Sequence, residues 1–125
     1  MGENEISYKV RGAIYNLYNA FGPGLLESVY SKSLQQELLR EGLKVRREVG
    51  IPVFYLGERM DAGFRLDLLV EEKVIIEVKS VETLAEVHHK QVLTYLKLSG
   101  LKLAILVNFN VENISKGIFR KVNQL

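Results

Sequence analysis

The chain has 125 residues, 47% hydrophobic and 26% charged, enough apolar material for one domain spanning residues 1–125 with a proper core. A formal net charge of +2 is too small to mark a chain that binds nucleic acid over its whole surface, so any phosphate-binding surface must be local. The absence of cysteine excludes disulfides, thiolate metal sites and a cysteine nucleophile.

No segment approaches the length of a membrane span, and the Met1–Asn4 start lacks a basic-then-apolar leader, so a cytoplasmic location with no membrane contact is expected. Ile6, Val10, Ala13, Ile14, Leu17 and Phe21 recur at three- and four-residue steps, which predicts an amphipathic helix from about Glu3 to Ala20. Gly22-Pro23-Gly24 breaks it. A second helix is predicted from about Leu25 to Arg40, with Leu26, Val29, Tyr30, Leu34 and Leu38 inward and Glu27 in the first turn, where a carboxylate offsets the helix dipole. Val45, Val49, Ile51, Val53 and Tyr55 alternate along a strand from about Lys44 to Leu56, with Pro52 marking a sheet edge or a bulge. Gly57-Glu58 turns the chain back, and Arg59–Ala62 leads through Gly63 into two further strands, Phe64–Val70 and Val74–Ser80.

After Ser80 the period becomes helical: Leu84, Val87, Gln91, Tyr95 and Leu98 form a stripe from about Thr83 to Leu98, closed by Gly100. Gln91 is anomalous there, because a buried amide needs partners for several hydrogen bonds. His88 and His89 flank the stripe with no further His or Cys to complete a metal cluster, and read as solvated helix residues. Leu103–Val107 is a continuous apolar run, the mark of a strand covered on both faces, and a helix-linked strand of this kind packs parallel to a neighbour. Asn108–Lys116 is turn-rich, and Ile118–Val122 forms either a short last strand or a packed tail. The order α-α-β-β-β-α-β defines an α/β class (α+β mixed sheet) with helices flanking a central mixed sheet.

The hairpin carries the chemistry. Alternation puts Phe64, Leu66, Leu68 and Val70 on one face and Arg65, Asp67 and Leu69 on the other; in the next strand Ile75, Glu77 and Lys79 share a face. The apolar faces coincide only if the loop has an odd number of residues, and Glu71-Glu72-Lys73 supplies three. Asp67 then lies directly across from Glu77, with side chains roughly 5 Å apart, where like charges repel. Two arrangements relieve the repulsion: a salt-bridge ladder with Arg65 and Lys79, or a divalent cation held by the carboxylates together with water and phosphate.

An acidic residue on a helix, three strands bearing an Asp and then Glu-x-Lys, a helix and a further strand resemble the core of the PD-(D/E)xK nuclease superfamily, a restriction-endonuclease-like fold. The hallmark stands here as Asp67 followed by Glu77-Val78-Lys79, with Leu66 in place of the eponymous proline. Gly24-Leu25-Leu26-Glu27-Ser28-Val29-Tyr30 is similar to the naming motif of the GxxExxY branch, and Gln91-Val92-Leu93-Thr94-Tyr95 to the Gln-x-x-x-Tyr motif of exonuclease-like members.

The resemblance implies that Glu27, Asp67 and Glu77, with the Val78 carbonyl, hold Mg²⁺ or Mn²⁺. Lys79 then acts on the attacking hydroxide and scissile phosphate, while Gln91 and Tyr95 orient Lys79, water or phosphate. It implies hydrolysis of phosphodiester bonds in nucleic acid, DNA rather than RNA. The basic clusters Lys44, Arg46, Arg47 and Lys116, Arg120, Lys121 are available to the phosphate backbone, or are ordinary solvated surface. A homodimer or a partner protein is expected to supply specificity. The alternative is a catalytically silent nucleic-acid-binding or protein-interaction module of the same fold.

Overall fold

The first apolar stripe forms α1 (Glu3–Phe21), which buries Ile6, Val10, Ala13, Ile14 and Leu17 while its terminal Phe21 stays exposed. The structure, a computed structural model, describes residues 1–125 apart from the side chains of Asp61 and Ala62. Gly22 (φ 65°) and Gly24 (φ 103°) take left-handed conformations open to glycine without strain, and the chain turns there into α2 (Glu27–Arg40). This helix begins two residues later than expected. Its buried stripe is Tyr30, Ser31, Leu34 and Leu38; Leu26 is its N-cap rather than part of it, and Val29 lies off the stripe, so both are exposed.

Five strands follow: β1 (Val45–Tyr55), β2 (Glu58–Val70), β3 (Val74–Lys79), β4 (Leu103–Asn108) and β5 (Ile118–Val122), with α3 (Glu86–Ser99) between β3 and β4. They form one mixed sheet in the order β1-β2-β3-β4-β5, antiparallel except for the β3–β4 pair, which is parallel across the α3 crossover. Ile118–Val122 is therefore a strand, paired with β4. α1 and α2 cover one face, meeting Leu68, Val70, Val74, Ile76, Val78, Leu103, Ile105 and Val107. α3 covers the other with Val92, Tyr95 and Leu96 against Leu69, Ile75, Ala104 and Leu106. Because β3 and β4 are covered on both sides, they are apolar along their length, except for Glu77 inside β3 and the terminal Lys79 and Asn108. α3 is shorter than its predicted span: Leu84 precedes it, and Val87 and Leu98 are exposed.

β1 is an edge strand, and its register with β2 shifts between Ile51 and Val53, so Pro52 sits at both an edge and a bulge. The β1–β2 turn centres on Leu56 (φ 50°) and Gly57 (φ 81°), one residue earlier than predicted, between the paired Tyr55 and Glu58. The β2–β3 loop is Glu71-Glu72-Lys73, as the parity argument requires, with Val70 paired to Val74 and Leu68 to Ile76. Its left-handed residues Glu71 and Glu72 are tied to β1 and the residue before it: Glu71 accepts from the Lys44 N–H at 2.6 Å, and Glu72 holds Arg46 at 2.6 and 2.7 Å.

One expectation about faces fails. Leu68 and Val70 pack under α1 and α2, but Leu66 and Phe64, of the same parity, pack with the α3 cluster; Val45 and Val49 divide in the same way on β1. Both strands therefore break their pleat at one level. Glu48 takes a left-handed conformation (φ 55°), and the ladder skips from Arg47–Leu68 to Val49–Leu66, passing over Glu48 and Asp67. Alternation assumes unbroken extended backbone, and a left-handed residue in the partner strand ends it.

Candidate active site

β2 and β3 stop pairing after Leu68–Ile76, and the next residues on each strand are Asp67 and Glu77. Side chains take over the backbone donors that the ladder leaves. The Asp67 N–H donates to Glu77 Oε1 at 3.1 Å, and the Val78 N–H donates to Asp67 Oδ2 at 2.7 Å. The expected opposition of Asp67 and Glu77 is present, at a fork in the sheet rather than on a flat face.

Glu77 is only 3% exposed. Burial pushes its carboxyl up to about 9, reinforced by the charge of Asp67 and by side-chain hydrogen bonding to it; the Asp67 N–H and the Lys79 charge pull weakly the other way. The salt-bridge ladder is not formed: among the described residues, neither Arg65 nor Lys79 makes an ion pair with Asp67 or Glu77. On the α3 side, Tyr95 is buried against Phe64, with ring centroids 5.3 Å apart. Its phenol is pushed up to about 12 by burial, then by the charges of Glu77 and Asp67. Gln91, a turn earlier on α3, is half-buried and hydrogen-bonds to none of these groups.

On the α2 side, Asp67 shares a cavity of about 260 Å³ with Glu27, Ser28, Ser31, Arg47 and Glu48. Larger clefts of about 380 and 480 Å³ run along α3 and α1, but neither contains Glu27, Asp67 or Glu77. Glu27 opens α2, and its Oε2 accepts from the Ser80 N–H at the end of β3, 3.3 Å away. The Tyr30 hydroxyl donates to the Gly22 carbonyl at 2.5 Å and accepts from the Leu25 N–H at 3.2 Å, bracing the loop that delivers Glu27. The Tyr30 ring stacks on Phe109, with centroids 4.2 Å apart.

Among the described residues, no three His, Asp or Glu side chains stand close enough together to hold a metal ion. Glu27 thus faces Asp67 across the cavity without closing a three-carboxylate cluster. The donor set still fits a hard divalent cation: Asp67 and Glu77 are adjacent oxygen donors with no ion-pair partner among the described residues, and such ions need only one or two carboxylates.

Sequence reasoning placed Arg47 in a surface cluster. It lies instead at the cavity, on the face that Val45 and Leu68, the residue paired with Arg47, turn to the α1–α2 layer, half-buried and 3.7 Å from Glu48. Arg46 is committed to Glu72, and Arg120 hydrogen-bonds to Asn4. The two histidines have packing roles: His88 Nδ1 accepts from the Ala85 N–H at 3.0 Å, closing the first turn of α3 as an N3 side chain does, and His89 meets Phe119 edge-on at 4.9 Å.

A mixed sheet between helical layers, parting around an Asp–Glu pair with a lysine two residues on, is a restriction-endonuclease-like fold. The chain belongs to the PD-(D/E)XK nuclease superfamily, whose family model matches residues 4–121. Members of this superfamily generally use divalent metal ions, and nucleic acid is the substrate class it implies. No curated protein and no solved structure matches the chain. Among the described residues, no helix is long and apolar enough to cross a membrane.

Proposed function

We propose that this domain hydrolyses phosphodiester bonds in nucleic acid, DNA rather than RNA, with Mg²⁺ or Mn²⁺ as cofactor. The observation that carries this reading is the Asp67–Glu77 pair at the fork of β2 and β3, with Lys79 following on β3. Asp67 and Glu77 would hold the ion, with Glu27 and the Val78 carbonyl as further oxygen donors. When bound, the cation would supply Lewis acidity and lower the pKa of a water it holds. Lys79 contacts the scissile phosphate and steadies the attacking oxygen, offsetting the negative charge that grows in the transition state. Tyr95 is a neutral phenol available as a hydrogen-bond donor to water or phosphate. Gln91, one turn away on α3, orients water or phosphate. Arg47 neutralises phosphate charge at the cavity wall.

The left-handed Gly24, Glu27 at the head of α2 and the loop-bracing Tyr30 support membership of the GxxExxY branch: each named residue of that motif has a distinct mechanical task. The domain works in the cytoplasm, and a homodimer or partner protein supplies recognition. The edge strand β1, with Phe54, Tyr55 and Leu56 exposed, supports self-association. The alternative, a catalytically silent nucleic-acid-binding or interaction module, draws on the separation of Glu27 from a closed three-carboxylate cluster.

The deciding experiment incubates the purified protein with single-stranded DNA, duplex DNA and RNA, with Mg²⁺ or Mn²⁺, beside Lys79→Ala. Cleavage by the wild type alone supports the nuclease reading; equal cleavage by both marks contamination and sinks it. Metal-independent binding without cleavage supports the silent module.

A further inference from the structure

Ser80 belongs to none of the motifs above, yet it joins the two halves of the acidic site. It follows Lys79 at the end of β3 and makes two contacts with the loop that presents Glu27. Its Oγ donates to the Leu25 carbonyl at 2.6 Å, and its N–H donates to Glu27 Oε2 at 3.3 Å. One residue therefore grips both the backbone leading to Glu27 and the carboxylate itself.

Each side of that joint is anchored. On the loop side, Leu25 is fixed by its N–H bond to the buried Tyr30 hydroxyl, which also holds the Gly22 carbonyl. On the strand side, Asn108 at the end of β4 grips the next residue, Val81: its Oδ1 accepts from the Val81 N–H at 3.0 Å and its Nδ2 donates to the Val81 carbonyl at 2.9 Å. Asn108 is 3% exposed, and the neighbouring Phe109 N–H donates to the Lys79 carbonyl at 3.0 Å. The backbone from Lys79 to Val81 is thus bound to β4, and Ser80 carries that fixed position to Glu27. Glu27 itself is exposed and lies in the first turn of α2, where its own helix does little to restrict its rotamer.

We propose that Ser80 is a positioning residue: by tying the Leu25–Glu27 segment to the end of β3, it holds Glu27 in register with Asp67 and Glu77. The inference rests on reading those carboxylates as a divalent-cation site. Ser80 touches neither the reacting atoms nor the cation. It acts through Glu27, as partners one step behind a metal ligand do when they fix its orientation.

The test compares full-length wild type, Ser80→Ala and Ser80→Thr by calorimetric titration with Mn²⁺, by thermal melting, and by amide hydrogen exchange without metal. Ser80→Ala is expected to weaken Mn²⁺ binding about tenfold, to speed exchange over Leu25–Ser28, and to leave Tm within a few degrees of wild type. Ser80→Thr, which keeps the hydroxyl, is expected to return affinity to within about threefold of wild type. Equal Mn²⁺ affinity in wild type and Ser80→Ala overturns the proposal. So does an equal loss in both variants that tracks a fall in Tm, which marks a purely structural staple. A wild type that binds no Mn²⁺ overturns the metal reading instead; exchange in the metal-free protein then decides the Ser80 coupling, and unchanged rates over Leu25–Ser28 in Ser80→Ala refute it.

Discussion

Asp67 and Glu77 are held against each other by backbone rather than by countercharge: the Asp67 N–H binds Glu77 Oε1, and the Val78 N–H binds Asp67 Oδ2. Two carboxyls of like charge are thereby fixed in contact. The cost of that contact falls on Glu77, the more deeply buried of the two.

That cost has a sign in pH. The Glu77 carboxyl titrates at about 9 in the folded chain, against about 4.3 when unfolded. Between those values the folded chain keeps a proton that the unfolded chain has released, so stability falls as pH rises through the window and levels off above it. Metal-free wild type is expected to melt at lower temperature at pH 9 than at pH 5.5, and Glu77→Gln to show a shallower decline. Mn²⁺ is expected to recover the loss in wild type alone. Parallel melting profiles for the two metal-free proteins would refute the assignment.

Lys79→Ala removes the cation beside the reacting phosphate while leaving the carboxylates in place. Its kcat is expected to fall roughly 100- to 1,000-fold, the scale for losing one transition-state donor, with Mn²⁺ affinity nearly unchanged. Single-turnover cleavage and calorimetry read the two effects separately. Loss of Mn²⁺ binding in this variant would mean that Lys79 holds the site together rather than serving the chemistry.

Arg47 and Arg46 are neighbours in sequence with different commitments. Arg47 lines the acidic cavity, whereas Arg46 is held bidentate by Glu72. In a Lys79→Ala background, Arg47→Ala is expected to weaken DNA binding and reduce the magnitude of the log K against log salt slope by about 1. Arg46→Ala is expected to leave both unchanged. Fluorescence anisotropy across a salt series distinguishes them, and equal effects would return both residues to a diffuse basic surface.

Tyr30→Phe keeps the stacking on Phe109 and deletes one hydroxyl that serves two backbone groups, the Gly22 carbonyl and the Leu25 N–H. A destabilisation of about 1–3 kcal/mol is expected for the polar groups left without this partner. It should be read as a lower urea midpoint at unchanged m. Mn²⁺ affinity is expected to drop as well, because the braced loop carries Glu27. A stability loss with intact affinity would confine Tyr30 to packing.

Local periodicity made much of this molecule legible. The stripe of α1, the left-handed C-cap at Gly100 and the doubly covered β4 all follow from spacing and residue type. The odd-length loop Glu71-Glu72-Lys73 was enough to set the β2–β3 register that brings Asp67 level with Glu77, because backbone pairing in a hairpin depends on counting from the turn. Inward residues were less secure at helix ends: Leu26 and Leu98 are apolar but exposed, since terminal turns reach past the sheet.

What spacing does not encode is where a regular element stops being regular. Glu48 has no residue-type signature for a left-handed backbone, yet the pleat breaks at its level in both strands, dividing Leu66 from Leu68 and Val49 from Val45, and Glu48 itself lines the cavity that Asp67 and Glu27 share. Ser80 and Asn108 were silent for a related reason. Their hydrogen bonds join segments far apart in the chain, and only the packed sheet brings β3 and β4 beside the α1–α2 loop. The sequence by itself determined the elements, the hairpin register and the identity of the acidic residues, because those depend on neighbours along the chain. Only the tertiary structure decided that the acids meet at a fork, which groups face them and what holds Glu27 in reach, because those depend on where separate strands part.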